Sequence, residues 1–252
     1  MTELKFGLES WACWTPGLEQ PSQWAAWLRG EIAPARDGAP EVKQLKPVDR
    51  RRLNRIGRAV FACAIEATEA AGSIAPAAMI TCSEHGELLR SFELLSSIAR
   101  NEPLSPNHFS LSVHNAIAGL VSIYAQWRVP IQCIATGTDG IGAAFLAASA
   151  ALARGGPDDR VLVVAYDDVV PEPIEHYVAS PPETGVAAAL LLSNDDRAHR
   201  RLVATRAPSR ALGLAHWDQI RRVVALLSHE TGELTLETGR ARWSLSLGAG
   251  AR

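Results

Sequence analysis

Four short apolar runs, separated by helical or proline-rich segments, constrain the fold of this chain more than any other feature. They lie at residues 77–83, 130–136, 160–169 and 185–195. Runs of this length and composition are typical of strands buried on both faces of a sheet. An aromatic-rich run at residues 5–14 predicts one more strand, which gives five in all.

The segments between these strands have the periodicity of helices. Residues 48–71 carry apolar side chains at helical spacing, at Leu53, Ile56, Val60, Ala64 and Ile65. Asp49 is the expected N-cap of this helix and Gly72 its expected stop. Further helices are predicted over residues 84–100, 113–126 and 137–156. Because strands and helices alternate, we expect a mostly parallel sheet covered by helices; the proline-rich connection between the last two strands favours an antiparallel pair.

The last part of the chain differs in character from the rest. Residues 1–195 are expected to form an α/β unit with a five-stranded mixed, mostly parallel sheet. Residues 196–252 are expected to form a small α+β extension. Its sequence predicts a strand at RRLVATRAP, an amphipathic helix at HWDQIRRVVALLSHE and a β-hairpin at GELTLETGRARWSLSL.

Composition excludes several functional classes. The chain has 25 basic and 27 acidic side chains, a net charge of −2, so no overall field attracts nucleic acid. The cysteines are widely spread without a CxxC motif, which argues against a zinc site or a disulfide scaffold and favours a reducing cytoplasm. No uncharged apolar run is long enough to predict a membrane span, and the N-terminus lacks the pattern of a signal peptide.

A glycine-rich turn joins the run at residues 130–136 to the helix that follows. Gly137, Gly140 and Gly142 allow close approach of the backbone, and Cys133 lies near the junction. The N–H groups at such a helix start favour negative charge and lower the pKa of a thiol placed there. Three interpretations compete: a dinucleotide-binding loop, which would need the opposite glycine order; an acyl-thioester site; and tight packing of the helix on the sheet.

Several motifs resemble the N-terminal half of a β-ketoacyl-acyl-carrier-protein synthase, a member of the thiolase superfamily. They are DRRRLNRIGRAVFACAIEATEAAG, SPNHFSLSVHNAIAGLVSI, GTDGIGAAFLAASAALARGG, RVLVVAYDD and TGVAAALLLSND, spread over residues 48–195. SVHNAIAG is the most specific of these phrases. Within the family, the chain is most similar to the short chain-length-factor-like subunits of aryl polyene-type biosynthesis. The resemblance implies a five-stranded thiolase half.

The resemblance also implies where catalytic residues would be. Family members carry a nucleophilic Cys, two small residues and a Gly at the start of the glycine-opened helix, which puts the nucleophile position at Ile134. Cys133 lies one residue earlier, and on a strand that shift turns the side chain to the opposite face. The second half of full-length members supplies two His residues, or a His and an Asn. The histidines of residues 196–252 (His199, His216, His229) lie in no comparable glycine-flanked loop, so we expect no intact catalytic set.

Other chemistry-bearing residues are weaker candidates. If the chain is active, Cys133 and His114 are the candidate catalytic residues, although a His beside serines at a helix start is usually a hydrogen-bonded structural group. His85 and Cys82 alone do not make a metal site, so no metal and no cofactor is expected. Asp167 and Asp168 are adjacent on a strand and are expected to face opposite ways.

The family resemblance implies two partners. In thiolase-type dimers the strand before the nucleophile helix pairs across the two-fold axis; here that strand is Ile131, Gln132, Cys133, Ile134 and Ala135. An unpaired apolar edge would be a liability, which favours a dimer with a full-length synthase or with a second copy. An acyl carrier protein would deliver the substrate on its phosphopantetheine. A basic stripe on the helix over residues 48–71 could dock that carrier, at Arg51, Arg55 and Arg58.

Three functional hypotheses follow. The first is a non-catalytic, chain-length-factor-like partner of a full-length synthase in fatty acid or polyketide (aryl polyene-type) biosynthesis. The second is a small acyltransferase, 3-oxoacyl-carrier-protein synthase or thioesterase that uses Cys133 as nucleophile. The third is a homodimeric module that binds a carrier protein or a ligand. Tryptophans crowded near the N-terminus predict either a region covered by a partner or a satellite core, at Trp11, Trp14, Trp24 and Trp27.

Overall fold

The computed structural model describes residues 2–18, 20–195 and 198–250. Its strands are β1 (Thr2–Trp14), β2 (Ala78–Ser83), β3 (Ile131–Ala135), β4 (Arg160–Asp167), β5 (Val186–Ser193), β6 (Arg200–Pro208), β7 (Gly232–Glu237) and β8 (Ala241–Ala249). Its α-helices are α1 (Pro21–Leu28), α2 (Pro47–Arg50), α3 (Arg55–Ala70), α4 (Leu88–Ala99), α5 (Pro106–Ser110), α6 (Ala116–Tyr124), α7 (Gly140–Leu152), α8 (Glu172–Glu175) and α9 (His216–Leu227). The predicted strand regions and main helical regions are confirmed.

All eight strands belong to one sheet, in the order β3-β2-β4-β5-β1-β6-β8-β7. The predicted α/β class is confirmed, and the five strands expected from residues 1–195 occupy consecutive positions in this sheet. The sheet is mixed, as predicted, and among the five strands of residues 1–195 β1, β2, β3 and β4 run in one direction while β5 runs against them. Among the described strands, β2 pairs in parallel with β3 and with β4, and the other neighbouring pairs are antiparallel. Strands that run in the same direction need a long crossover, and helix-containing connections join β1 to β2, β2 to β3 and β3 to β4.

The C-terminal segment extends the same sheet. Strand β6 pairs antiparallel with residues 2–8 of β1, and the β7–β8 hairpin continues outward from β6. The predicted order of strand, helix and hairpin is therefore confirmed, but the sheet has eight strands and not five. The boundary between the two predicted units adjoins Asp196, which lies outside the described residues, and the division of the chain at that point stays a prediction.

Helix α3 begins later in the chain than predicted. Asp49 lies in the one-turn helix α2, and α3 begins only at Arg55. The true cap is Asn54, whose side-chain oxygen accepts a hydrogen bond from the N–H of Gly57 at 2.8 Å. The helix ends as expected, because Gly72 adopts a φ of +90°, a conformation that suits glycine.

Helices cover both faces of the sheet. On one face α3 and α6 pack on the central strands, and on the other face α7 and α9 do so. The N-terminal helix α1 lies against α9, with the rings of Trp27 and Trp217 stacked at 6.2 Å and the guanidinium of Arg221 near both rings. Trp24 and Trp27 are buried by the chain itself. They belong to the main core on the α7–α9 face of the sheet, so for these two tryptophans the predicted separate satellite core is wrong.

Candidate functional site

The predicted dimer strand β3 lies at the open edge of the sheet. It pairs only with β2, in parallel register, and its other edge carries no strand among the described residues. Ile131, Gln132 and Ala135 are exposed. A row of free backbone N–H and C=O groups beside exposed apolar side chains is a template for pairing with another chain. The chain therefore presents the edge that the sequence predicted.

Ile134, which the sequence analysis predicted to be the nucleophile position, faces the α7 side of the sheet. It borders a surface pocket of about 490 Å³ at the start of α7. The rest of the lining is Ala135, Thr136, Gly137, Asp139, Ala143 and Arg240. Arg240 belongs to the turn of the C-terminal hairpin, so the extension closes one side of this pocket. A hydrocarbon side chain at this point has no atom that could form a thioester.

Cys133 faces the other way. Its side chain packs against the core under α3 and α6, whereas Ile134 packs against the core under α7 and α9. Burial raises the pKa of the Cys133 thiol, while a hydrogen bond with Thr81 opposes that rise. A thiol with a raised pKa on the opposite face from the pocket is poorly placed as a nucleophile there.

The glycines near the start of α7 serve different purposes. Gly137 and Gly140 have φ values of +49° and +58°, which side chains rarely adopt. A Cβ added at Gly140 would overlap the side chain of Gln219 in α9, and one added at Gly142 would overlap the indole of Trp243 in β8. These contacts favour the tight-packing interpretation of the glycines, because they let the C-terminal segment lie directly on α7.

A buried ion pair joins α9 to the central sheet, and the sequence analysis did not identify it. Nδ1 of His216 lies 2.6 Å from Oδ2 of Asp167, and both side chains are essentially inaccessible. Oδ1 of the same carboxylate accepts hydrogen bonds from the Ser83 hydroxyl and from the N–H groups of Glu84 and His85. No spacing rule links a strand end to a helix start so far away in the chain.

Burial and charge act in opposite directions on this pair. Burial by itself lowers the pKa of His216, but the Asp167 carboxylate overcomes that effect and raises the pKa to about 10. Burial likewise favours the neutral form of Asp167, yet His216 and the surrounding donors leave its pKa below the usual value. His216 is therefore a charged structural residue that no substrate can reach.

The arginines predicted to form one basic stripe do not share a helix. Arg51 follows α2, whereas Arg55 and Arg58 belong to α3. Arg55 is bound to Asp168, with its Nε 2.8 Å from Oδ1. The prediction that the three arginines form one stripe on a single helix is wrong, because the chain turns between α2 and α3. Docking of a carrier protein at these residues stays a prediction. Asp167 and Asp168 do face opposite ways, as expected.

His114 lies beside a turn that follows β2. Its ring lies so close to Gly86, which has a φ of +55°, that a Cβ there would overlap Nδ1. Its Nε2 is buried without a hydrogen-bond partner among the described residues. His114 does not line the pocket at Ile134. The geometry does not bring together His114, Cys133 and that pocket.

The described residues contain no cluster of three or more His, Cys, Asp or Glu side chains that could hold a metal ion. Within the same ranges, no helix has both the length and the apolar character needed to cross a membrane. The cysteines at positions 13, 63, 82 and 133 are free thiols.

The chain matches a known family model but no curated protein. A family model described as the N-terminal domain of β-ketoacyl synthases matches residues 24–246. The match spans most of the chain and includes the C-terminal helix and most of the hairpin. Comparison with curated proteins finds no significant match.

Several solved structures share the fold. A structure described as the ketosynthase ApeO in complex with its chain length factor ApeC, from Xenorhabdus doucetiae, matches with a TM-score of 0.82 and 23% identity, over 96% of this chain and 99% of the matched chain. A structure of a type II polyketide-synthase acyl-carrier protein in complex with its ketosynthase matches with a TM-score of 0.67 and 10% identity, over 98% of this chain and 100% of the matched chain. The structure of the ishigamide ketosynthase/chain length factor matches with a TM-score of 0.56 and 16% identity, over 90% of this chain and 70% of the matched chain.

Proposed function

Since the chain belongs to the family of β-ketoacyl synthase N-terminal domains, we propose that it is the non-catalytic, chain-length-factor-like partner of a full-length β-ketoacyl-acyl-carrier-protein synthase. The pair would act in fatty acid or polyketide synthesis of the aryl polyene type. One observation carries the proposal: Ile134, the predicted nucleophile position, borders the pocket, and the neighbouring thiol of Cys133 lies on the other face of the sheet. Condensation on a thioester needs a nucleophile, an oxyanion donor and a proton-handling group together.

The open edge of the sheet supports a heterodimer. Pairing β3 with the edge strand of a synthase would satisfy its free backbone groups and continue one sheet through both subunits. Pairing with a second copy is the alternative, and it would leave both nucleophile positions occupied by Ile134. A pair with a full-length synthase would contain one intact catalytic centre. The structural similarity to the complex of the ketosynthase ApeO with its chain length factor ApeC supports this assignment.

The substrate in this proposal is an acyl or malonyl thioester on the phosphopantetheine of an acyl carrier protein. The chain itself would need no cofactor. Arg51, Arg55 and Arg58 remain the proposed docking residues, although Arg55 would have to keep its contact with Asp168. The free cysteines are consistent with a cytoplasmic location, which is also part of the proposal.

The test is a reconstitution with the full-length synthase from the same genome. The two purified proteins should form a 1:1 complex on size-exclusion chromatography with light scattering. The complex should condense malonyl thioester on a carrier protein, and this chain alone should show no turnover. Turnover by the chain alone would overturn the non-catalytic assignment, and a failure to form any complex would overturn the partner assignment.

A Cys133→Ala change should leave the product yield of the reconstituted pair within about twofold of wild type, because substitutions away from reacting atoms have small effects. The yield is measured by chromatography of the released acyl chains. Replacing the partner synthase's own nucleophile by alanine is the control and should abolish product. Loss of product from Cys133→Ala in an intact complex would favour the acyltransferase or thioesterase hypothesis.

A further inference from the structure

Helix α4 presents an apolar face that the chain does not cover. None of its residues is buried. Ser91, Leu95 and Ile98 follow each other at i, i+4 and i+7 and therefore share one face. The Ser91 hydroxyl donates to the carbonyl of Ser112 at 3.3 Å, so this face adjoins the segment that contains α5.

The same border carries more exposed hydrophobic side chains. The α4–α5 surface is defined here by Leu95, Ile98, Leu104, Phe109 and Val113, all of which are exposed. Phe109 on α5 is 67% exposed and Leu95 is 63% exposed. A twelve-residue helix is marginal in water without tertiary packing. Exposed hydrophobic side chains gathered on neighbouring segments are typical of an interaction site.

The α4–α5 surface lies at the β3 border of the sheet. Helix α4 follows directly after β2, the strand that pairs with β3. The N–H of Thr136, just after β3, donates to the carbonyl of Ser83 at the end of β2. Helix α6, which follows α5, leads into β3 through a short connection. From these connections we expect a chain that pairs along β3 to meet this surface as well.

Strand β3 alone is too small to hold a stable dimer. Five residues of strand extend only about 17 Å, whereas a stable interface buries roughly 800 Å² on each partner. The remaining area has to come from neighbouring side chains, and the α4–α5 surface supplies exposed apolar groups next to the strand. This requirement fits the same partner that pairs along β3.

The charges around the surface do not suit an acidic carrier protein. Arg90 is held by Glu87 at 2.7 Å, and Arg100 is held by Glu102 at 2.8 Å. Glu93 on α4 is exposed and carries the same sign as the carrier. With its arginines already paired and its exposed side chains apolar, the surface matches an apolar face of a protein partner.

We propose that the α4–α5 surface docks on the full-length synthase and supplies most of the affinity of the pair, with Phe109 as its anchor. This inference rests on the proposed function and adds the residues that hold the partner. Aromatic side chains that become buried at the centre of an interface contribute disproportionately to affinity. The partner should present an apolar surface beside its own edge strand.

The experiment measures the dissociation constant between the purified chain and the full-length synthase from the same genome, by titration calorimetry. Phe109→Asp and Leu95→Asp should each weaken binding by about 30-fold or more. Leu212→Asp is the matched control, because Leu212 is 97% exposed and lies in the connection between β6 and α9. It should bind within about twofold of wild type. Circular dichroism melts establish that each variant is folded, and Phe109→Ser replaces any variant that is not.

The possible results distinguish a failure of the docking surface from a failure of the proposed partner function. If wild type binds and the two surface variants bind equally well, the α4–α5 surface is not the docking site, while the partner function stands. If wild type does not bind any synthase, the partner function fails and the inference fails with it. If the variants lose binding to the acyl carrier protein but keep the synthase, the surface belongs to the carrier and the inference is overturned.

Discussion

Replacing His216 by leucine should lower the free energy of unfolding by about 3–5 kcal/mol, as expected when one partner of a buried ion pair is removed. The change leaves the Asp167 carboxylate buried beside an apolar group. Leucine fills a similar volume, so the loss comes mainly from the uncompensated charge and not from a cavity. Because Asp167 also anchors the turn after β2, the start of α9 and that turn should loosen together.

The measurement is urea unfolding followed by circular dichroism. His229→Leu is the control, because His229 is exposed just after the same helix and its side chain makes no hydrogen bond or ion pair with the described residues. It should change stability by less than about 0.5 kcal/mol. A double change, His216→Leu with Asp167→Leu, should recover part of the loss, since it removes the stranded charge. Equal stability of His216→Leu and wild type would show that the pair contributes nothing.

The same pair should give a characteristic pH dependence. The pKa of His216 is raised from 6.5 to about 10 in the folded chain, so its contribution is complete below the unfolded value and is lost as the pH rises towards 10. The pKa of Asp167 is lowered, so its contribution is present above 3.8 and is lost as the pH falls through the folded value. The stability difference between wild type and His216→Leu should therefore shrink between pH 7 and pH 10, and a constant difference over that range would contradict this account.

The second large effect is expected at a glycine inside α7. Gly142→Ala should destabilise the fold by about 1–3 kcal/mol, because the new Cβ would overlap the rigid indole of Trp243. In most helices the same change stabilises, since alanine restricts the unfolded chain. The expected loss therefore comes from contact between α7 and the C-terminal hairpin and not from helix propensity.

A matched control lies in α6. Gly119 is also helical, but a Cβ at Gly119 meets nothing within 4 Å. Gly119→Ala should therefore stabilise the chain by about 0.4–1 kcal/mol, opposite in sign to Gly142→Ala. Thermal and urea unfolding of both variants measure the two effects. If Gly142→Ala is as stable as Gly119→Ala, the hairpin does not pack on α7 as described.

Local patterns in the sequence anticipated much of this molecule. Short continuous apolar runs predicted the strands from β2 to β5, and the C-terminal pattern predicted β6, α9 and the hairpin. The motif around Gly137 placed the family's nucleophile position at Ile134 and predicted that Cys133 would face the opposite way. The prediction of Asp49 as a helix cap failed because Asn54, five residues later, binds the free N–H of Gly57.

The secondary-structure elements and the opposite facing of Cys133 and Ile134 could be predicted from the sequence, because strand and helix periodicities and a one-residue register depend on neighbouring residues. Tertiary structure alone decided the antiparallel additions to the sheet, the His216–Asp167 pair and the fit of Trp243 against Gly142. Those features join segments far apart in the chain, and no local spacing encodes which of them meet. Their common effect is that the C-terminal segment packs on α7 and completes the sheet.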